Sequence, residues 1–137
     1  MMRYILCFVV LAAFVLASAG TSVAKPTIYE TDVKDWLDKG TVVGTARLTV
    51  LPNGQWVLHA KLDGAEPDTA FDAYFRHRNL EAEDTVTTNA NGTAVWHVKL
   101  GKLDPLSALT RSAVLFTVGS DPTWDQYYMG LFDIPRS

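Results

Sequence analysis

Asn53-Gly54-Gln55-Trp56-Val57-Leu58-His59-Ala60-Lys61-Leu62 returns as Asn91-Gly92-Thr93-Ala94-Val95-Trp96-His97-Val98-Lys99-Leu100, 38 residues on, with six of ten positions identical and no gap. Asn-Gly tolerates the positive φ angles that a tight reversal between strands requires. After each turn the side chains alternate. Trp56, Leu58, Ala60 and Leu62 share one face in the first copy; Ala94, Trp96, Val98 and Leu100 do so in the second. The other face carries Val57, His59 and Lys61, then Val95, His97 and Lys99. A period of two with one apolar side marks a strand with one wet face. The repeat therefore predicts two hairpin return strands of equal parity.

The same alternation extends outward from the repeat. In residues 42–51, Ala46, Leu48 and Val50 share the apolar side. In residues 70–78, Phe71, Ala73, Phe75 and His77 share one face, and Asp72, Tyr74, Arg76 and Arg78 the other. Residues 79–84 read as loop, 85–88 as the strand entering the second turn, 112–118 as a near-continuous apolar strand and 126–134 as the last strand. Two short helices are predicted. Thr31 or Asp32 caps the first, with Val33, Trp36 and Leu37 on one side, after a strand at 27–30. Asp104-Pro105 opens the second, which runs to Arg111. About seven short strands without long intervening helices predict an all-β fold, a single antiparallel β-sandwich of immunoglobulin-like type. Its core is expected to hold Trp56, Leu58, Leu62, Phe71, Phe75, Trp96, Val98, Leu115 and Phe116.

The first residues read as an export signal. Arg3 precedes an apolar run from Tyr4 to Leu16, and Ala17-Ser18-Ala19 follows as a small-residue cleavage site. Cleavage falls after Ala19 or, alternatively, after Ala24, and the β-sandwich domain occupies 25–137. The lone cysteine, Cys7, lies inside the signal. The exported domain is then a secreted, extracellular or periplasmic one without disulfides, and its stability rests on packing. The net charge of −3 and the lack of a basic cluster argue against nucleic acid. No second segment could span a membrane.

Several motifs fall in a family-like order. Gly44-Thr45-Ala46-Arg47-Leu48 leads to a strand ending Leu62-Asp63-Gly64, then Pro67-Asp68-Thr69, an aromatic strand with His77, and Thr88-Asn89-Ala90-Asn91-Gly92. Over about residues 42–100 this resembles secreted chordin-type (CHRD) domains and, more remotely, the copper–zinc superoxide dismutase sandwich. The resemblance implies a sandwich fold and an exported setting. It implies no activity, because Tyr74-Phe75-Arg76-His77-Arg78 holds one histidine where CHRD-like domains pair two.

Three groups of residues carry possible chemistry. His59 and His97, outward on matching strands, could bind Cu²⁺ or Zn²⁺ if the strands are neighbours, with His77 or a carboxylate as third ligand. The competing reading is a solvated stripe in which His and Lys discourage edge association. Asp63, Glu66, Asp68 and Asp72 hold oxygens suited to Ca²⁺ but lack its regular spacing. In 121–128, Trp124, Asp125, Tyr127 and Tyr128 combine aromatic faces with a carboxylate, as a carbohydrate or protein contact does; alternatively Trp124 plugs the core. Asn91-Gly92-Thr93 is also an acceptor sequon for N-glycosylation. There is no Gly-x-Ser-x-Gly elbow, no cysteine nucleophile in the exported part and no phosphate loop. The sequence thus points to a noncatalytic extracellular or envelope binding or structural module, without cofactor, whose partner is a protein or carbohydrate. The alternative is a copper- or zinc-binding protein.

Overall fold

The computed structural model describes residues 25–120 and 122–135. The segment expected to be an export signal, with Cys7, and Asp121 lie outside them. Eight strands follow one another: β1 (Thr27–Asp35), β2 (Thr41–Val50), β3 (Gln55–Leu62), β4 (Ala70–His77), β5 (Leu80–Thr87), β6 (Ala94–Lys102), β7 (Ala113–Ser120) and β8 (Thr123–Leu131). They form a single sheet in the order β5-β4-β7-β8-β1-β2-β3-β6, antiparallel at every pairing. The sheet curls until its edges β5 and β6 approach, without joining them by a ladder. The fold is all-β as expected. It is a nearly closed barrel of eight strands, where two packed sheets of about seven strands were expected.

Parity explains why closure is possible. The alternating apolar residues of every strand converge on one interior: Val33, Leu48, Leu58, Phe71, Phe75, Val114, Phe116 and Tyr128 are all buried. Trp56, Leu62 and Trp96 join them as the repeat predicts, and Val98 packs half-buried against them. Leu115 departs from expectation. Val114 and Phe116 take the inward positions of β7, so Leu115 faces out, paired with Tyr74. Register shifts in the β1–β2, β3–β6 and β7–β8 ladders add local bends of the kind that help a sheet curl.

Neither predicted helix forms, and no helix occurs among the described residues. Residues 31–35 continue as β1, paired with β2 and then also with β8. Trp36 extends that second pairing. Its backbone N–H donates to the Tyr127 carbonyl at 3.0 Å, and its indole N–H donates to Met129 O at 3.2 Å. Long-range ladder bonds on both sides outweigh the local cap. The 104–111 segment makes only one turn, with Ser107 N–H donating to Asp104 O at 3.1 Å. Arg78 occupies the carbonyls that a helix would need, donating through Nη2 to Pro105 O and Ser107 O, each at 2.9 Å. The 79–84 loop is also absent, because Leu80–Thr87 pairs along the whole of β4.

The two Asn-Gly turns share one geometry. Gly54 N–H donates to Leu51 O and Leu51 N–H to Gln55 O; Gly92 N–H donates to Asn89 O and Asn89 N–H to Thr93 O. Only the glycine has a positive φ, +87° at Gly54 and +74° at Gly92, so each is a three-residue reversal and not the two-residue form that Asn-Gly favours. Their contexts differ. The first joins β2 to β3, which are neighbours; the second carries the chain from β5 across the open seam to β6. It docks on the β3–β4 loop, where Ala65 N–H donates to Gly92 O at 3.1 Å and Asp68 N–H to Asn89 O at 3.0 Å. Thr88, almost fully buried, donates through Oγ1 to Glu66 O at 2.6 Å and accepts from Thr69 N–H at 2.9 Å. This clasp plugs one end of the barrel.

Equivalent glycines should therefore be unequally replaceable. A Cβ at Gly54 meets nothing within 4 Å, whereas at Gly92 it would lie 2.1 Å from Ala65 O. Gly54→Ala should cost about 1–2 kcal/mol, the strain of left-handed backbone alone. Gly92→Ala should cost clearly more, because the clasp must shift. Urea unfolding of both variants measures the difference, and equal midpoints would contradict the account.

Candidate functional site

The end of the barrel opposite the clasp is open. Here the start of β3, the end of β4, the start of β7 and the end of β8 surround a cavity of about 490 Å³. Its wall is aromatic. Trp56 stacks on Tyr29, with centroids 6.2 Å apart and planes 14° apart, and lies against His77, at 4.9 Å and 31°. Leu103, Leu109, Phe132 and Ile134 add apolar surface, while Arg78, Arg111 and Asp133 supply charge. Two guanidinium groups against one carboxylate leave the mouth net cationic.

His77 follows its parity, pointing inward at the last position of β4. It is 5% exposed, and its Nδ1 hydrogen-bonds the Ser112 hydroxyl, itself buried. Desolvation holds the His77 pKa below its ordinary value of 6.5, and the neighbouring Arg78 charge lowers it further. The imidazole is accordingly neutral near pH 7. A serine touching a neutral histidine is part of a nucleophilic arrangement. Among the described residues, however, no carboxylate hydrogen-bonds or ion-pairs with His77 to orient it.

Arg78 sits beside it with φ +57°, a strained angle for a side chain other than glycine. Its backbone N–H donates to Thr110 Oγ1 at 2.6 Å and its Nη2 holds the 105–107 turn, so one residue straps the 103–112 segment over the mouth. Its Nε is buried and has no hydrogen-bond partner among the described residues.

Comparison with protein-family models, curated proteins and solved structures found no match.

The residues singled out from the sequence scatter over three places. His59 and His97 stand directly opposite each other on β3 and β6, both exposed, with ring centroids 5.8 Å apart. His77 is inside the barrel, away from that outer face. Among the described residues no group of three or more His, Cys, Asp or Glu is placed to hold a metal. That includes Asp63, Glu66, Asp68 and Asp72, the last of which faces out along β4 beside Thr117. Trp124 and Tyr127 form a half-buried pair, with centroids 5.5 Å apart, near the plugged end, and Asp125 is exposed beside them. Tyr128 is separated from them by parity. It is a core residue against Phe71, and its hydroxyl accepts from Glu66 N–H at 3.0 Å. Burial raises its pKa, against the lowering effect of that hydrogen bond.

The mouth residues Tyr29, Arg78, Arg111 and Ser112 were not evident as a site. The one available signal was His77, a polar residue in the apolar stripe of 70–78.

His77 should leave a mark on stability. The unfolded chain takes up a proton below 6.5 that the buried imidazole resists, so the unfolded state is favoured there. Stability should be fully present above 6.5 and fall as pH drops below it. His77→Phe, which keeps an aromatic ring against Trp56, should lack this limb. Denaturant midpoints measured across that range test it, and parallel profiles for the two proteins would refute it.

Proposed function

We propose that the chain is an exported, noncatalytic binding module whose ligand enters the open mouth of the barrel. The ligand class is a small amphiphile, with a flat aromatic or short aliphatic body and a carboxylate or similar anionic group. The observation that carries this reading is an aromatic-walled cavity flanked by Arg78 and Arg111, one of them with a buried, unpartnered Nε–H. Small-molecule sites are typically concave, largely apolar and about 300–1,000 Å³, with a few directed polar groups. A buried donor without a partner costs about 1–3 kcal/mol. An anionic oxygen reaching Arg78 would relieve that cost. The stacked Tyr29 and Trp56 supply a face for the ligand body.

A noncatalytic role is supported by the unoriented His77–Ser112 pair and by the absence of catalytic motifs in the sequence. Export rests on the signal-like first residues. The partner at Trp124, Asp125 and Tyr127 expected from composition is less well supported, because Tyr128 is committed to the core and the other three lie on an open surface.

The test is titration of the protein with 1-naphthoate and with the neutral 1-naphthalenemethanol. Naphthoate should quench tryptophan fluorescence saturably and shift amide resonances around Tyr29, Trp56, His77 and Ser112. Arg111→Glu, at an exposed rim position, should weaken it by roughly tenfold, about 1.4 kcal/mol. Shifts confined to the 122–128 end would refute the site. Equal affinity for the neutral compound would refute the anion.

A further inference from the structure

The outer surface of β2, β3 and β6 carries a second arrangement, independent of the mouth. Across it runs a single row: Glu30 on β1, Arg47 on β2, His59 on β3 and His97 on β6 are successive ladder partners. Glu30 and Arg47 satisfy each other through an ion pair of 3.2 Å. The histidines are left facing one another, edge to face, with neither ring hydrogen-bonded to a protein group among the described residues. We propose that His59 and His97 together form a two-histidine site for a divalent transition ion, Cu²⁺ in preference to Zn²⁺.

The geometry suits a shared ion. Directly opposed residues on an antiparallel pair hold their Cβ atoms about 4.5–5.5 Å apart. Imidazole nitrogens bind zinc-type ions at about 2.0–2.1 Å. Rings with centroids 5.8 Å apart, on exposed side chains free to adjust, can therefore converge on an ion between them. The platform is rigid, since β3 and β6 pair along nearly their whole length. With two protein ligands the remaining positions belong to water or an added anion, and affinity follows the general order in which Cu²⁺ exceeds Zn²⁺.

The surroundings set the strength. Lys61 follows His59 on the same face of β3, Lys99 follows His97 on β6, and Arg47 lies across from His59. All three are exposed. Their charge opposes a bound cation, so the site is a moderate one that tightens when the lysines are removed.

The experiment is titration of the purified protein with CuCl₂, followed by electron paramagnetic resonance and by NMR. One Cu²⁺ should bind per chain with nitrogen coupling in the spectrum. His59→Ala and His97→Ala should each weaken it by at least the roughly 10–100-fold that loss of a mere supporting partner costs at other metal sites. The Lys61→Ala/Lys99→Ala variant should bind more tightly. In the unmodified protein, substoichiometric Cu²⁺ should broaden the His59 and His97 signals together and before any others. The proposal is overturned if Cu²⁺ uptake is unchanged in both histidine variants, or if broadening begins elsewhere. It fails independently of the mouth, since naphthoate binding does not involve these residues.

Discussion

A buried hydroxyl holds the molecule together. Thr88 Oγ1 ties the β3–β4 loop to the approach of the second Asn-Gly turn, and both segments cross the seam between the sheet's two edges. No ladder closes that seam. The barrel is shut at this end by the side-chain bonds of Thr88 and by backbone bonds between the two connections. Several otherwise separate facts follow. Gly92 must lack a side chain because Ala65 lies against it. Tyr128 must be a tyrosine of the core whose hydroxyl reaches the same loop. The clasp crosses this end of the barrel, and the cavity lies at the other.

At that other end the constraint runs the opposite way. Arg78 straps the 103–112 segment across the mouth but leaves Nε unpaired, and His77 is buried at the cost of its proton affinity. One unsatisfied polar atom, a strained φ and a shifted pKa gather within two consecutive residues. Such features usually cluster where a protein binds or reacts, and ordinary packing has no need of them. One end of the barrel is thus optimised for closure, and the other retains polar cost around an open cavity.

Much of this was legible from alternation alone. The inward positions of β2, β3, β4 and β6 follow from the period of two, and both turns sit where Asn-Gly places them. Closure was not legible, because a sandwich and a barrel impose the same alternation on each strand; only strand order separates them. The helix expected over 31–40 was misread because Trp36 and its neighbours find partners on β8, more than ninety positions away in sequence. Leu115 was misplaced because an apolar run such as 112–118 has no visible parity. Trp124, Asp125, Tyr127 and Tyr128 share a composition but not a face, because adjacent residues on a strand point to opposite sides and Tyr128 turns into the core. The opposed histidines were visible as equivalent positions, but their contact depended on β3 and β6 being neighbours. The mouth drew Tyr29, Arg78 and Ser112 from three distant segments and left almost no trace in the sequence.

The unladdered seam has a further consequence for how molecules of this protein meet. Its two edges carry unlike charges: Glu81, Glu83 and Asp84 on β5, and Lys99 and Lys102 on β6. Free strand edges invite pairing with another chain, and charged residues along them are a common deterrent. Here the deterrent is directional. The acidic edge of one molecule repels the acidic edge of the next, and basic repels basic, while within one molecule the unlike edges attract. The charge pattern disfavours pairing of like edges between molecules and leaves acidic-to-basic contact as the permitted one, the same contact that draws each barrel's own edges together.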